Sequence, residues 1–464
     1  MGAGAVALLA VAAGVVVLGG DDPGAPAAAP TTTFPATWDP EVAPIAEWVE
    51  DERDLAFDHP VEVRMLSEED WLAQADESAA LEEEADVEEA EEVVGLLRAL
   101  GLVSGEVDLE AAGADLAGDG TLAYYDPEAQ EVVVRGTELT PAVQVTLAHE
   151  LTHTLQDQHF DLSRVADPSF DEAEVLRALA EGDAERIEDA YVEARLTPEE
   201  QRAYEEESSA GADEAGAVLE ETVPPVLRTL SAAPYVLGEA FVDQLLTTEL
   251  VEAIDGVLAD PPTEGELLFP STRDTTAADV ASVSVSAPDG AEVIDEDTFG
   301  PLGWYLLLGS QGDPAQALEV VRGWGGDHMV TYRQDDRVCA VVAAVGDSPA
   351  DTEALGAAAR RWAGAMPGGG ATVEDGDGQV RLTSCDPGAA ATGTGDAGED
   401  LLGYPLVRVE LETGLRQDGA TATQADCAAG GLLSALPLDV LTSPDGAADP
   451  AVQARITEII LACR

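Results

Sequence analysis

Lysine is missing from this chain. All 21 cationic side chains are arginine, set against 93 acidic ones, and the net charge is -72 over 464 residues. A field so one-sided repels nucleic acid and anionic lipid, which argues against both as partners. It tolerates salt, because at ~1 M the Debye length falls to about 3 Å and self-repulsion is quieted. Cysteine is scarce too: Cys339, Cys385, Cys427 and Cys463 are the only four, and no two form a CxxC. That spacing argues against a thiolate zinc site. An even count confined to the last third fits two local disulfides, with Cys339–Cys385 and Cys427–Cys463 the favoured pairing. Disulfides in turn imply an oxidising compartment. There is no G-x-S-x-G elbow, no P-loop, no dinucleotide fingerprint and no short-period repeat. The acid-rich run 76–94 lacks the Gly and Asp spacing of a calcium loop and reads as a solvated helix face.

Cations are also absent before Arg53. Residues 3–20, AGAVALLAVAAGVVVLGG, carry no charge and read as the apolar part of a signal peptide or a short membrane anchor, so 1–20 is assigned to that role. Membrane attachment, if any, is expected through this segment only. Residues 21–43 form a Pro/Ala/Thr-rich linker. The length allows two or three domains, and an apolar content of 45% supports packed cores.

Beyond the linker, IAEWVEDERDLAF reads as helix and PVEVRMLS alternates like a strand. TLAYYDPEAQEVVVRG at 121–136 reads as a hairpin around a DPEAQ turn. Thr140 and Pro141 then supply an N-cap and a first-turn proline, which predicts a helix over about 141–158. A second helix is expected over about 171–196, with Leu176, Leu179, Ala180, Ala184, Ile187 and Tyr191 as its apolar stripe. More helix follows to about 258, broken at Pro224 and Pro225. From 286 to 385 the pattern is helix, two strands around Asp335 and Asp336, helix, strand, which reads as a smaller α+β domain. Residues 386–400 are a linker by composition, and 401–464 a small segment closed by its disulfide.

Histidine occurs only five times, yet three of the five fall within TLAHELTHTLQDQHF, residues 146–160. His149 and His153 are four residues apart, so a helix puts both imidazoles on one face, one turn apart, within reach of a single ion at about 2.0–2.1 Å. Glu150 is rotated about 100° from His149 and stands beside such an ion, suited to hold a water rather than bind the metal. This is the H-E-x-x-H arrangement of zinc metallopeptidases, in which Zn2+ acidifies a water and the glutamate takes its proton. Leu147, Leu151 and Leu155 give the opposite face to the core. A catalytic zinc site needs a third protein ligand. His159 is one candidate, but Gln156 stands where a chain-turning glycine would be needed, and on a continuing helix His159 lies about 15 Å along the axis. Glu181, in ALAEGDAERIEDAY, is the favoured candidate, because Gly182 and Ala184 allow close approach of the two helices. Glu185, Asp183 and Asp157 are candidates to orient the imidazoles, and Tyr124, Tyr125, Tyr191 and His328 to stabilise an oxyanion.

YYDPEAQEVVVRG, AHELTHTLQDQHFDL and ALAEGDAERIEDAY together resemble a poorly characterised family of secreted or surface-anchored gluzincin-like proteins of high-GC bacteria and archaea. PYVLGEAFVDQL, PPTEGELLFP and GWGGDHMV resemble later blocks of it, so the likeness covers roughly 40–370. Phe269 departs from the pattern, where a histidine is expected. The resemblance implies His149, His153 and Glu181 as zinc ligands and Glu150 as catalytic base. The fold class expected is α+β: a zincin-like, mostly helical metallopeptidase core with a small β-hairpin or sheet over 44–285, followed by the smaller domain. The expected function is hydrolysis of protein or peptide substrates outside the cytoplasm. The alternative is a non-catalytic surface or binding protein that keeps a zincin fold. A metalloenzyme acting on a non-peptide amide is a third class.

Overall fold

The computed structural model describes residues 34–74, 87–118, 122–166, 172–274, 280–391, 401–443, 446 and 448–464. The apolar stretch 3–20, and with it the expected signal or anchor, lies outside these. Among the described residues no helix is long and apolar enough to cross a membrane.

The chain mixes helices with two small sheets, as expected of an α+β fold. Its first part runs α1 (Ala43–Arg53), β1 (Glu62–Leu66), α2 (Val87–Ala99), α3 (Leu109–Gly118), β2 (Ala123–Asp126) and β3 (Glu131–Arg135). The hairpin read at 121–136 is β2 and β3, antiparallel, and β1 joins β3 in parallel, giving the order β1-β3-β2. β3 is central, so Val132, Val133 and Val134 are fully buried. Three long helices follow, α4 (Pro141–Phe160), α5 (Ala173–Arg195) and α6 (Pro198–Thr222). Thr140 caps α4 by accepting the Val143 N–H, with Pro141 in the first turn. At the other end Asp161 takes the left-handed conformation, φ 57°. Leu147, Leu151 and Leu155 pack with β2, β3 and Ile45 and Val49 of α1 in one apolar cluster, which Ile187 and Tyr191 of α5 complete. Helix α4 therefore lies between the sheet and α5.

Next come α7 (Pro225–Thr248), α8 (Glu252–Ala259) and α9 (Glu264–Leu268). Helices α5 and α7 cross at a pair of glycines. A Cβ on Gly238 would fall 1.7 Å from the Ala178 carbonyl oxygen, and one on Gly182 2.1 Å from the Gly238 carbonyl carbon. The small residue at 182 thus admits α7, not α4 as the sequence led one to expect. Glycine is required because the two backbones touch.

The remainder comprises β4 (Glu292–Asp297), α10 (Gly300–Ser310), α11 (Pro314–Val321), β5 (Trp324–Gln334), β6 (Arg337–Gly346), α12 (Pro349–Ala365), β7 (Ala371–Gly376) and β8 (Gln379–Cys385). All five strands are antiparallel, in the order β4-β5-β6-β8-β7. Asp335 and Asp336, both at positive φ, make the β5–β6 turn. Cys339 and Cys385 face each other across β6 and β8 and are bonded. The helical face of this sheet shares one apolar cluster with α2, α5 and α7, so the core runs unbroken across residue 286. Two of the quoted blocks meet at the N-terminus of α10. Asp327 accepts the Phe299 N–H at 2.8 Å and the indole N–H groups of Trp304 and Trp324, each at 2.8 Å. Glu264 accepts the Leu302 N–H at 3.3 Å. Carboxyl oxygens thus cap the free donors of the helix start.

The last residues form α13 (Gly403–Gln417), α14 (Ala422–Ala435), α15 (Leu438–Thr442) and α16 (Pro450–Ala462). Cys427–Cys463 ties α14 to the end of α16. This segment docks on the main core through Leu401, Leu402, Val407 and Leu433. Buried Arg408 adds ion pairs to Glu412 at 3.0 Å and Asp426 at 2.7 Å, and Ser271 donates to Glu412. Phe269, buried and beneath the Arg408 guanidinium, packs there. Both disulfides are of the kind that an oxidising, extracytoplasmic environment sustains.

Two outcomes follow. Gly238→Ala should lower stability by ~3 kcal/mol or more, read from the denaturation midpoint, because neither backbone can yield cheaply. Burial, with Asp327 nearby, pushes the Glu264 carboxyl up to about 8 despite the Leu302 N–H. The fold thus favours its protonated form, whose stabilisation is full below 4.5 and is lost as pH rises through about 8. Glu264→Gln should therefore match wild type in melting temperature in acid and exceed it above pH 8.

Candidate metal centre

His149 and His153 leave α4 one turn apart, and Glu181 reaches them from the middle of α5. The Nε2 atoms of the two histidines are 3.0 Å apart. Glu181 Oε2 lies 3.4 Å from His149 Nε2 and 3.3 Å from His153 Nε2. Two metal–ligand bonds of 2.0–2.1 Å at the tetrahedral angle span about 3.3 Å, so the three donor atoms stand at the spacing a zinc ion requires. Oε2 of Glu181 is buried and receives no well-aligned hydrogen bond. The set has three members among the described residues. The chemistry of two imidazoles and one carboxylate fits a divalent metal.

Electrostatics point the same way. Burial pulls the His149 imidazole down, but the nearby carboxylates of Glu181 and Glu188 and the field of Glu150 outweigh it and raise its pKa well above the usual value. His153 is likewise raised against its own burial, chiefly by Glu181. Burial would push Glu181 up, yet His153 and His149 hold it well below the ordinary carboxylate range. A site this eager for cationic imidazoles is equally suited to an ion that displaces their protons.

Glu150 follows His149 on α4, and both histidines and Glu181 act on its buried carboxyl. Its Oε2 accepts the Tyr125 backbone N–H from β2 at 2.8 Å. Burial raises its pKa, opposed by the two histidines. The hairpin before α4 thus positions the carboxyl.

The groups that hold the imidazoles differ from those expected. His149 Nδ1 faces Glu188 Oε2 at 3.3 Å, and His153 Nδ1 faces Gln156 Oε1 at 3.0 Å. Neither was among the candidates, although both lie on the same helices at helical spacing. Asp183 acts one step back: its Oδ2 accepts from Gln156 Nε2 at 2.9 Å and from buried Arg53 at 2.8 Å. Arg53 also reaches Asp255 at 2.8 Å. EGDA is thereby accounted for residue by residue: the carboxylate facing the imidazoles, the helix crossing, support for Gln156, and a fully buried alanine. Asp157 instead accepts the Tyr125 hydroxyl at 2.7 Å. Glu185 is pushed up to about 7 by burial and by Glu188, and with His149 and Glu188 forms a second group of donors within 4.8 Å. We assign Glu188 to the ring nitrogen because His149 Nε2 is engaged with the first group.

His159 is outside this cluster, as its place on a continuing helix requires; its Nε2 meets the Ala56 carbonyl at 2.8 Å. The four expected oxyanion groups are engaged elsewhere. Tyr124 takes a hydrogen bond from Gln74, Tyr191 bonds Gln144 at 3.4 Å, and His328 faces the Val285 N–H at 3.3 Å on the far sheet. Tyr235 of α7 was not foreseen. The charge of Glu181 above all, then burial, Glu150 and Glu185, drives its phenol pKa far up, so the hydroxyl stays a proton donor. Only the α5–α7 crossing brings it there, three residues before Gly238.

A family described as a domain of unknown function (DUF8575) matches residues 290–397. That stretch contains the five-stranded sheet and α10–α12, and none of the residues of the candidate metal centre. No curated protein and no solved structure matches the chain.

Protein purified with zinc should retain stoichiometric metal by mass spectrometry. His149→Ala and Glu181→Ala should lose it, and His159→Ala should keep it. Affinity should fall as pH falls, because the raised imidazole pKa values make protons stronger competitors.

Proposed function

We propose that this protein is a zinc-dependent metallopeptidase, gluzincin-like in its donor set, that cleaves protein or peptide substrates outside the cytoplasm. The observation that carries the reading is the meeting of His149, His153 and Glu181 at 3.0–3.4 Å beside the buried carboxyl of Glu150. Two histidines and a glutamate would hold the zinc, whose Lewis acidity would polarise a carbonyl and acidify a water. Three protein donors are the composition of catalytic zinc sites, whereas structural sites are closed by four. That favours an enzyme over a binding protein with a zincin fold.

The residues of the chain divide the remaining work. Glu150, with its raised pKa and its Oε2 fixed by the Tyr125 N–H, takes a proton from the attacking water and gives it to the departing amine. Tyr235 donates its hydroxyl to the substrate oxygen as negative charge builds there. Glu188 and Gln156 keep both imidazoles in register. Strand β2 is an edge of its sheet next to Glu150, where an extended peptide can add as a further strand. Localisation by secretion or by an N-terminal anchor is part of the proposal.

Glu150→Gln should cut hydrolysis of casein by about 10²–10⁴-fold with zinc retained. Tyr235→Phe should lower kcat by about 10²–10³-fold and change KM little. A zinc-loaded wild type that cleaves neither casein nor a mixed peptide library would favour the non-catalytic protein.

A further inference from the structure

Arg177 lies one turn before Glu181 on α5 and leaves the helix on the same face. It is only 5% exposed. Its ion pair with Glu174 is 3.6 Å long, beyond hydrogen-bonding distance. Nε and Nη1 are buried without a hydrogen-bond partner, as is Oε1 of Glu174. Underbonded buried guanidinium groups are costly, and folds retain few of them without some other use.

Arg177 and Glu181 stand one turn apart on one face of α5, where side chains four residues apart are neighbours. Tyr235 is under the fields of Glu181, Glu150 and Glu185 and of Arg177 together. The backbone contact between Ala178 and Gly238 holds α7, and with it Tyr235, against this turn of α5. Among the described residues, the acids Glu150, Glu185 and Glu188 also act on His149. A negatively charged substrate meets repulsion from all of them unless a cation receives it.

We propose that Arg177 is the anion-receiving group of this site, and that the substrates are peptides with a carboxylate close to the scissile bond. A guanidinium is suited to this because its planar N–H donors match carboxylate geometry. In an acid-rich protein the arrangement confers selectivity, since a carboxylate is admitted where Arg177 stands and repelled elsewhere. The inference rests on the metallopeptidase reading.

The test uses two small hydroxamates and calorimetry on the zinc-loaded protein. One is the monohydroxamate of succinic acid, and the other its uncharged amide. Wild type should bind the acid about tenfold tighter or more, the range of a charge-assisted hydrogen bond. Arg177→Met should abolish the difference and leave zinc content and amide affinity unchanged. Arg177→Lys, which keeps the charge without the planar fork, should retain part of it. Equal affinity of the acid and amide for wild type overturns the role of Arg177 and leaves the metal centre standing. Failure of both to bind a zinc-loaded protein overturns the metallopeptidase reading and this inference with it. Two competing hexapeptides then identify the source of the carboxylate. One has Gln side chains and a free C-terminus, the other Glu side chains and a C-terminal amide. Competition by one marks that source, and competition by neither beyond a neutral amide peptide overturns the proposal.

Discussion

Helix α4 presents leucines on one side and two imidazoles on the other, and it is buried on both. Its apolar side is fixed by the three-stranded sheet and α1. Its polar side has no such anchor and depends on α5 for a partner. A carboxylate from α5 meets the imidazoles, and the rest of the centre is arranged to keep that meeting in place. Arg53 from α1 pairs with Asp183, Asp183 holds Gln156, and Gln156 holds His153. Three helices are thus joined by one buried polar chain that ends on a ring nitrogen.

Helix α7 is the second support. Its contact with α5 is backbone against backbone, at Gly182 and Gly238. That contact holds Tyr235 within the field of the acids of the site. The unbroken core extends the same support to the five-stranded sheet and the C-terminal helices. The part matched by a family of unknown function is therefore packed into the body that holds the candidate metal centre, although it contributes none of that centre's residues.

Much of the centre was legible because the signals were rare. Five histidines make a pair at helical spacing conspicuous, and a Thr-Pro start followed by leucines at matching intervals marks the helix that carries it. Glu181 was legible from the small residues beside it, though their roles proved different: Gly182 serves α7, and Asp183 supports Gln156. Glu188 was not legible, because one glutamate among 93 acids carries no mark of its own. Gln156 could be read only as the absence of a turn glycine, and its amide bond to His153 depends on a rotamer. Tyr235 and Arg177 depend on where distant helices cross.

By itself the sequence determined the local elements: the H-E-x-x-H helix and its N-cap, the hairpin before it and the aspartate turn, and it favoured the pairing of four cysteines that the structure shows. These follow from side-chain period, turn chemistry and short separations, which act within a few residues or within one unit. The tertiary structure alone decided which side chains face the ring nitrogens, which phenol lies in the field of the site's acids, and that residues on both sides of 286 share a core. Those choices depend on contacts between residues far apart in the chain, where burial and backbone approach are set by packing that no local pattern encodes.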